Sequence, residues 1–396
     1  MPRKIPSSLA NQMICVVPRE DLPGEARAAA TPASVAKLLK LGLDVRVESG
    51  LGLRSGHPDA AYQTAGAQVV ASRPELLQAA DLVLRVRPPE RDDVAQMKPG
   101  AVHVGFLDPF QHPELLHHLA EAGLEAIAME MIPRSTRAQS MDALTSQANL
   151  AGYAAVVWGA AHLPKVLPMM STAAGTILPA RVFVVGAGVA GLQAIATARR
   201  LGAKVEAFDT RPVVAEQVES LGAKFVRIDV GGETGQTAQG YAKALTPEQE
   251  ARQRAGMKKV CAEADLVITT AQVFGRRAPI LITAEMLDAM KPGSVVVDLA
   301  VDTGGNVEGI VPGQTVQRGG ITLLGQTQLA NHVPAHASQV YAMNLYHLLA
   351  DLWDQGSGKL RLDPAHDILN GCLLVHHGQI RDARFVASST APSSSS

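Results

Sequence analysis

The chain has 396 residues, 47% of them hydrophobic and 18% charged, enough for two or three domains that each bury a core. Lys+Arg 36 against Asp+Glu 37 leaves a formal net charge of −1, and no basic stripe stands out, so nucleic-acid binding has no electrostatic support. The three cysteines, Cys15, Cys261 and Cys372, are far apart and form no CxxC pair, which argues against a disulfide framework or a structural zinc site and fits a reducing cytosol.

The stretch up to Gln12 lacks an apolar signal-peptide core, and the weakly polar run Ala148 to Leu163 is too short to span a bilayer. The chain therefore reads as soluble, with any membrane association through a partner. Met13 to Pro18 reads as a first buried strand. Thr31-Pro32 is an N-cap followed by proline at the first helical position, opening a helix that Gly42 stops after Leu41. Short apolar runs then recur at Asp44 to Glu48, Gln68 to Val70, Asp81 to Leu84, Ala101 to Val104 and Glu125 to Ile127, separated by helix-length segments. That alternation predicts a parallel sheet covered on both faces.

A long helix is expected from Ser140 to about Leu163. A second alternating series follows at Arg181 to Val185, Lys204 to Phe208, Lys224 to Ile228, Leu266 to Thr269, Val295 to Asp298 and Thr322 to Leu324. Another long helix, His336 to Trp353, returns the chain to the first domain. The segment Gly231 to Ala242 and the polar run Thr246 to Arg254 depart from the compact pattern, as a surface insertion or a lid would. The histidine pairs His117-His118 and His376-His377 read as surface residues, because adjacent side chains diverge on a regular helix or strand.

Gly186-Ala187-Gly188-Val189-Ala190-Gly191 is a GxGxxG between a buried strand and a predicted helix. The first glycine permits the tight turn, the second lets backbone approach a pyrophosphate, and the third allows close helix–strand packing. Asp209 ends the next strand, 23 positions after Gly186. A carboxylate there accepts hydrogen bonds from ribose hydroxyls and repels a 2′-phosphate, which selects NAD over NADP, although Arg211 lies close by.

The stretch VVGAGVAGLQAIATARRLGAKVEAFDTRP (Val184 to Pro212) goes beyond this fingerprint. With PRSTRAQSMDALTSQANLAGY (Pro133 to Tyr153) and KPGSVVVDLAVDTGGN (Lys291 to Asn306), it resembles the NAD(H)-binding component of proton-translocating NAD(P) transhydrogenases. The resemblance implies two Rossmann-like α/β domains with doubly wound parallel sheets, joined by long helices, and NAD(H) in the cleft between them. Residues 13–143 with 330–385 would form the first domain, 144–329 the NAD(H)-binding domain, and 386–396 a disordered tail. It also implies a homodimer, cytoplasmic and peripheral on the inner membrane, docked on an NADP(H)-binding component and a membrane-spanning proton channel.

Residue by residue, the resemblance assigns the nicotinamide side to Arg134, Gln139, Asp142 and Thr145, the last standing where a serine is usual. The adenosine side corresponds to Val189, Asp209, Thr210 and Arg211, beside the backbone of Gly186, Gly188, Ala190 and Gly191. Gly240-Tyr241 matches a mobile loop and Gln253 a contact position. Gln272 stands where the family is usually apolar, and Gln326 to His332 departs from the family's Gly-Arg form. Read without the resemblance, Arg134, Gln139 and Asp142 would simply cap the long helix that follows.

Two other functions compete. The chain also resembles alanine dehydrogenase, with Arg27 and Asp302 at positions that family uses, but its essential lysine aligns with Arg85 and its essential histidine with Asp108. Arginine stays protonated and cannot exchange a proton. Hydride transfer between two nicotinamides moves no proton at the rings, so the loss of an acid–base pair fits transhydrogenation. A non-catalytic NAD-sensing module would share the fingerprint and need no nicotinamide-side residues.

Overall fold

The computed structural model describes residues 12–231 and 246–386. Two compact units emerge, Met1–Gln147 together with Val333–Ser396, and Ala148–His332. The first begins with β1 (Ile14–Val17), β2 (Asp44–Glu48), β3 (Gln68–Val70), β4 (Leu82–Leu84), β5 (Val102–Gly105) and β6 (Glu125–Ala128). The second holds a hairpin of β7 (Met170–Thr172) and β8 (Gly175–Ile177). Its main sheet is built from β9 (Arg181–Val185), β10 (Lys204–Phe208), β11 (Lys224–Phe225), β12 (Leu266–Thr269), β13 (Val295–Asp298), β14 (Thr315–Arg318) and β15 (Ile321–Leu324). The chain then returns to the first unit with β16 (Trp353–Asp354), β17 (Lys359–Leu360), β18 (Leu373–His376) and β19 (Gln379–Ile380).

The first sheet runs β19-β18-β6-β5-β4-β1-β2-β3, parallel from β6 to β3, with β18 antiparallel on β6. The second runs β11-β10-β9-β12-β13-β15-β14, parallel except for β14. Each therefore contains the doubly wound order 3-2-1-4-5, in which the strand order reverses beside the first strand and opens a crevice at the strand carboxyl ends.

Local chemistry accounts for the main elements. Thr31 accepts from Ser34 N–H in a reciprocal capping box, Pro32 opens the helix Pro32–Leu41, and Gly42 closes it at φ 113°. The helix Ala143–His162 begins under Asp142, whose carboxylate accepts from Thr145 N–H at 2.9 Å and Thr145 Oγ1 at 2.6 Å. The helix Pro334–Leu352 lays Tyr341, Leu345, Leu348 and Leu349 into the first unit's core with Cys15, Val17 and Leu84. All three cysteines are buried and free.

Several expectations need correction. The polar run from Thr246 is the start of a helix, Pro247–Glu263, because Thr246 and Gln249 form a second capping box ahead of a proline. The strand expected over Lys224 to Ile228 ends at Phe225. Residues 139–141 form a short 3-10 turn before the long helix. The expected tail lies outside the described residues apart from Val386, which ends the helix Ala383–Val386. His377 is exposed as expected, but the two rings do not diverge, since their centroids are 3.9 Å apart and both meet Glu125.

Burial of charge marks the first unit. Glu130 is half-buried as a residue, yet its Oε2 is fully covered and finds no partner among the described residues. Its Oε1 accepts from Leu107 N–H at 2.8 Å and Asp108 N–H at 2.5 Å. Burial lifts its pKa from 4.5 to about 7 against those hydrogen bonds. With the folded value above the unfolded one, its contribution to stability is full below pH 4.5 and is lost as pH rises through about 7. Glu130→Gln keeps the acceptor and removes the titration. Relative to the variant, the wild type should lose up to about 3 kcal/mol of unfolding free energy between acid and mildly alkaline pH. Urea melts of both proteins across that range test this, and a difference independent of pH would overturn it.

Candidate dinucleotide site

The fingerprint joins β9 to the helix Val189–Arg200. Gly186 turns at φ +99°, and a Cβ there would lie 2.6 Å from Thr270 Oγ1. A Cβ on Gly191 would fall 1.9 Å from the Gly186 carbonyl oxygen, so the helix can approach the strand only as glycine. A Cβ on Gly152 would sit 2.1 Å from the Ala190 carbonyl, which lets the long helix press on the fingerprint from within the same unit. Around Gly188 nothing stands within 4 Å of such a Cβ. No side chain caps the helix there, and its first backbone bond runs from Leu192 N–H to Gly188 at 2.8 Å. Bare backbone, open space and orphan first-turn amides suit a pyrophosphate.

Asp209, at the end of β10, ties this turn to the next strand. Its carboxylate accepts from Ala187 N–H at 2.8 Å, from Arg211 N–H at 2.8 Å, and from Arg211 Nε at 2.9 Å and Nη2 at 2.8 Å. The guanidinium is thus directed at the carboxylate, and this hydrogen bonding holds the Arg211 pKa above its ordinary value. A ribose 2′-phosphate would meet a neutralised pair rather than a lone cation. Beside it lies a cavity of about 370 Å³ lined by Phe208, Asp209, Thr210, Pro212, Phe225 and Ile228. Its apolar walls and one carboxylate edge match an adenosine.

The sequence reading missed the groups that hold the facing loop. Thr270 Oγ1 donates toward Gly186 O at 3.0 Å and locks the end of β12 onto the turn. Buried Asn306 donates from Nδ2 to Ala271 O at 2.9 Å and Pro279 O at 2.8 Å, and accepts from Ala271 N–H at 3.0 Å. Asp298 accepts from Thr269 Oγ1, Ala300 N–H and Asn306 N–H, and burial raises its pKa despite these bonds. The signal was present in VVVDLAVDTGGN, an acid and an amide closing a buried strand, but their separation hid the contact. Gln272 is exposed and donates to Leu299 O at 3.0 Å. Gln253 is buried, with Nε2 against Met257 Sδ and Oε1 lacking a partner among the described residues. Gly240 and Tyr241 lie outside the described residues.

In the first unit Arg134, Gln139 and Thr145 are exposed and Asp142 half-buried, with Asp142 and Thr145 joined in the helix cap. The crevice of this unit's sheet is charged, not glycine-rich. Arg85, after β4, is buried between Glu20 and Asp93, and Tyr341 OH donates to its carbonyl at 2.8 Å. Glu20 also accepts from Val86 N–H at 2.6 Å. Arg27 is buried with Glu25 Oε2 at 2.6 Å and donates to Gln147 at 3.0 Å. Although burial pushes the Glu25 pKa up, the hydrogen bonds and charge of Arg27 hold it below its ordinary value. A cavity of about 340 Å³ here is lined by Glu20, Glu25, Arg27 and Arg54. Asp108 sits at φ 50°, its pKa raised by burial. In the second unit Asp302 accepts from Gln328 N–H at 3.1 Å.

Comparison with known proteins follows this division. The C-terminal domain family "Alanine dehydrogenase/PNT" matches residues 155–383, and its N-terminal counterpart matches residues 16–151. An NAD(P) transhydrogenase alpha-subunit chain of Rhodospirillum rubrum is 43% identical over 374 residues, covering 93% of this chain and 97% of that protein. The crystal structure of transhydrogenase from Sinorhizobium meliloti superposes with a TM-score of 0.84 at 45% identity, covering 93% of this chain and 99% of that one. The alanine dehydrogenase of Bacillus subtilis is 31% identical over 299 residues, covering 75% of this chain and 72% of that protein. By both matched domains and by these relatives, the chain belongs to the alanine dehydrogenase/PNT family, on its transhydrogenase alpha-subunit side.

Proposed function

We propose that this chain is the NAD(H)-binding subunit of a proton-translocating transhydrogenase, exchanging a hydride with NADP(H) held on a partner component. The observation that carries this reading is the pairing of a complete fingerprint with a first-unit crevice in which Arg85 and Arg27 are each already paired with acids. Arg85 faces Glu20 and Asp93, and Arg27 faces Glu25. Neither pair leaves an evident cation for an amino-acid carboxylate, and neither supplies a group that exchanges protons near neutrality. Identity of 43% to a transhydrogenase alpha subunit, against 31% to an alanine dehydrogenase, points the same way.

The residues present fit NAD(H), which supplies a hydride at its nicotinamide when bound. Gly186, Gly188 and Gly191 admit the pyrophosphate to backbone amides, with Val189 and Ala190 beginning the helix that points at it. Asp209 takes the adenosine ribose, with Thr210 and Arg211 beside it. Arg134, Gln139, Asp142 and Thr145 serve the nicotinamide side by orienting a carboxamide, where an amide and a carboxylate offer matched donors and acceptors. Gly240, Tyr241, Gln253 and Gln272 are assigned to the rim. No acid or base is required, so the chain's work is orientation and exclusion of water.

Proton movement belongs to a separate membrane component in this reading. Among the described residues no helix is long and apolar enough to cross a membrane, and in this reading the chain attaches to the cytoplasmic face through its partner components. A homodimer is also included in the proposal. The β7–β8 hairpin exposes Met169 at 63% and Leu178 at 77%, with Met170 and Ile177 beside them, and such an apolar projection favours cover by a second copy.

Four outcomes are expected. The isolated chain with NADH and an NADP+ analogue should show negligible transfer until the NADP(H)-binding component is added. Alanine-dependent NADH formation by the chain alone, with no transfer in the mixture, would overturn the assignment. In the mixture, Gln139→Asn should slow single-turnover transfer by about tenfold with only a small change in NADH affinity. Asp209→Ala should weaken NADH binding at least about tenfold by calorimetry, since charge-assisted ribose bonds are lost. An unchanged affinity would remove Asp209 from the site. Finally, Met169→Ser with Leu178→Ser should shift the chain toward monomer in light scattering, and an unaltered mass would place the dimer contact elsewhere.

A further inference from the structure

The hairpin that closes the first unit's sheet brings together three side chains that the hydride-transfer reading does not use. β18 and β19 pair His376 with Gln379, so only His377 and Gly378 lie in the turn. Both have positive φ, 51° and 72°, as the two central residues of a type I′ turn must. The histidine takes a left-handed conformation that costs energy for any residue with a Cβ. The consequence is geometric. Where a regular strand would send the two rings to opposite faces, this turn folds His377 back beside His376, with ring centroids 3.9 Å apart and an interplanar angle of 32°.

Both rings face one carboxylate. Glu125, at the start of β6, is buried, with Oε2 at 2.6 Å from His376 Nδ1 and Oε1 at 3.4 Å from His377 Nδ1. His377 N–H also donates to Oε1 at 3.1 Å, which fixes the carboxylate under the turn. One ligand atom from each of the three residues lies within 4.8 Å of the others. A tetrahedral ion with bonds of ~2.0–2.2 Å needs its ligand atoms roughly 3.3 Å apart, between the 2.6 and 3.4 Å that separate the two ring nitrogens from the carboxylate oxygens. The His377 side chain is 81% exposed, which leaves solvent to fill a remaining position.

We propose that Glu125, His376 and His377 bind one divalent d-block metal ion, with Zn2+ the best match, through two Nδ1 atoms, one carboxylate oxygen and water. Two imidazoles and one carboxylate suit Zn2+, Ni2+ or Cu2+, whereas Mg2+ and Ca2+ call for more oxygen ligands. Binding displaces the proton shared by His376 and Glu125 and joins β6 to the β18–β19 edge, so the ion stabilises this end of the sheet. The buried cysteines offer no competing thiolate.

The test is Zn2+ titration of the metal-stripped full chain against a chromophoric chelator, alongside thermal melts with Zn2+ and with EDTA. One Zn2+ per chain is expected, with a rise in Tm that EDTA reverses. His377→Gln, at an exposed turn position, should fold normally and lose at least about tenfold in Zn2+ affinity. Glu125→Gln should lose binding also, while His112→Gln, on an exposed helix end, should retain it. Absence of stoichiometric binding by the wild type at millimolar Zn2+ would overturn the proposal. So would an affinity and Tm response unchanged in His377→Gln.

Discussion

The second unit is organised around a place where no side chain fits. The carbonyl of Gly186 lies 1.9 Å from where a methyl on Gly191 would stand, and the carbonyl of Ala190 lies 2.1 Å from where one on Gly152 would stand. These absences let strand, fingerprint helix and long helix meet at backbone distance. The same closeness aims the first helical turn out of the sheet at the open space around Gly188. Asp209 then fastens the turn to β10 through the Ala187 amide, and Thr270 fastens it to β12 through the Gly186 carbonyl. Asn306 and Asp298 brace the loop that carries Thr270 onward. These bonds hold in place a glycine turn whose backbone has more conformational freedom to lose than any other residue's.

Both sheets share one winding order, yet their crevices differ in chemistry. In the second unit, glycine and threonine occupy the corner between the first and fourth strands. The equivalent corner of the first unit holds Glu20, whose carboxylate accepts from Val86 N–H and pairs with Arg85. Burial raises the pKa of Glu20 there, and its ion pair with Arg85 fills the corner with side chains where the second unit leaves bare backbone. Removing a buried ion pair's partner is costly, whereas the intact pair is near break-even, so Arg85 with Glu20 and Asp93 behaves as a filled plug. The fold supplies the crevice twice, and local residues give each its own chemistry.

Charge is handled differently again at the far edge of the first sheet. Glu125 is drawn under the hairpin turn by one backbone amide and two rings. Glu130, five positions on, has no ion-pair partner among the described residues, and burial lifts its pKa to about 7. Five positions along the chain thus separate an acid met by two imidazoles from one whose pKa burial raises against two backbone hydrogen bonds.

Much of this was legible in the sequence because it depends on neighbours. Strands β2, β3, β9, β10, β12 and β13 were marked by short apolar runs, and the helix Pro32–Leu41 by Thr31, Pro32 and Gly42. The fingerprint glycines and the position of Asp209 are set by spacing along a single βαβ unit. The structure alone decided the partners of Arg85, the hold of Asn306 on Ala271 35 positions away, and the meeting of His376 and His377 with Glu125 some 250 positions earlier. Thr246 showed the limit from the other side, since a polar run without apolar period still became a helix once its capping box closed. Periodicity and capping act over a few residues and can be read in order, whereas these contacts arise only when sheet order brings distant strand ends to one corner.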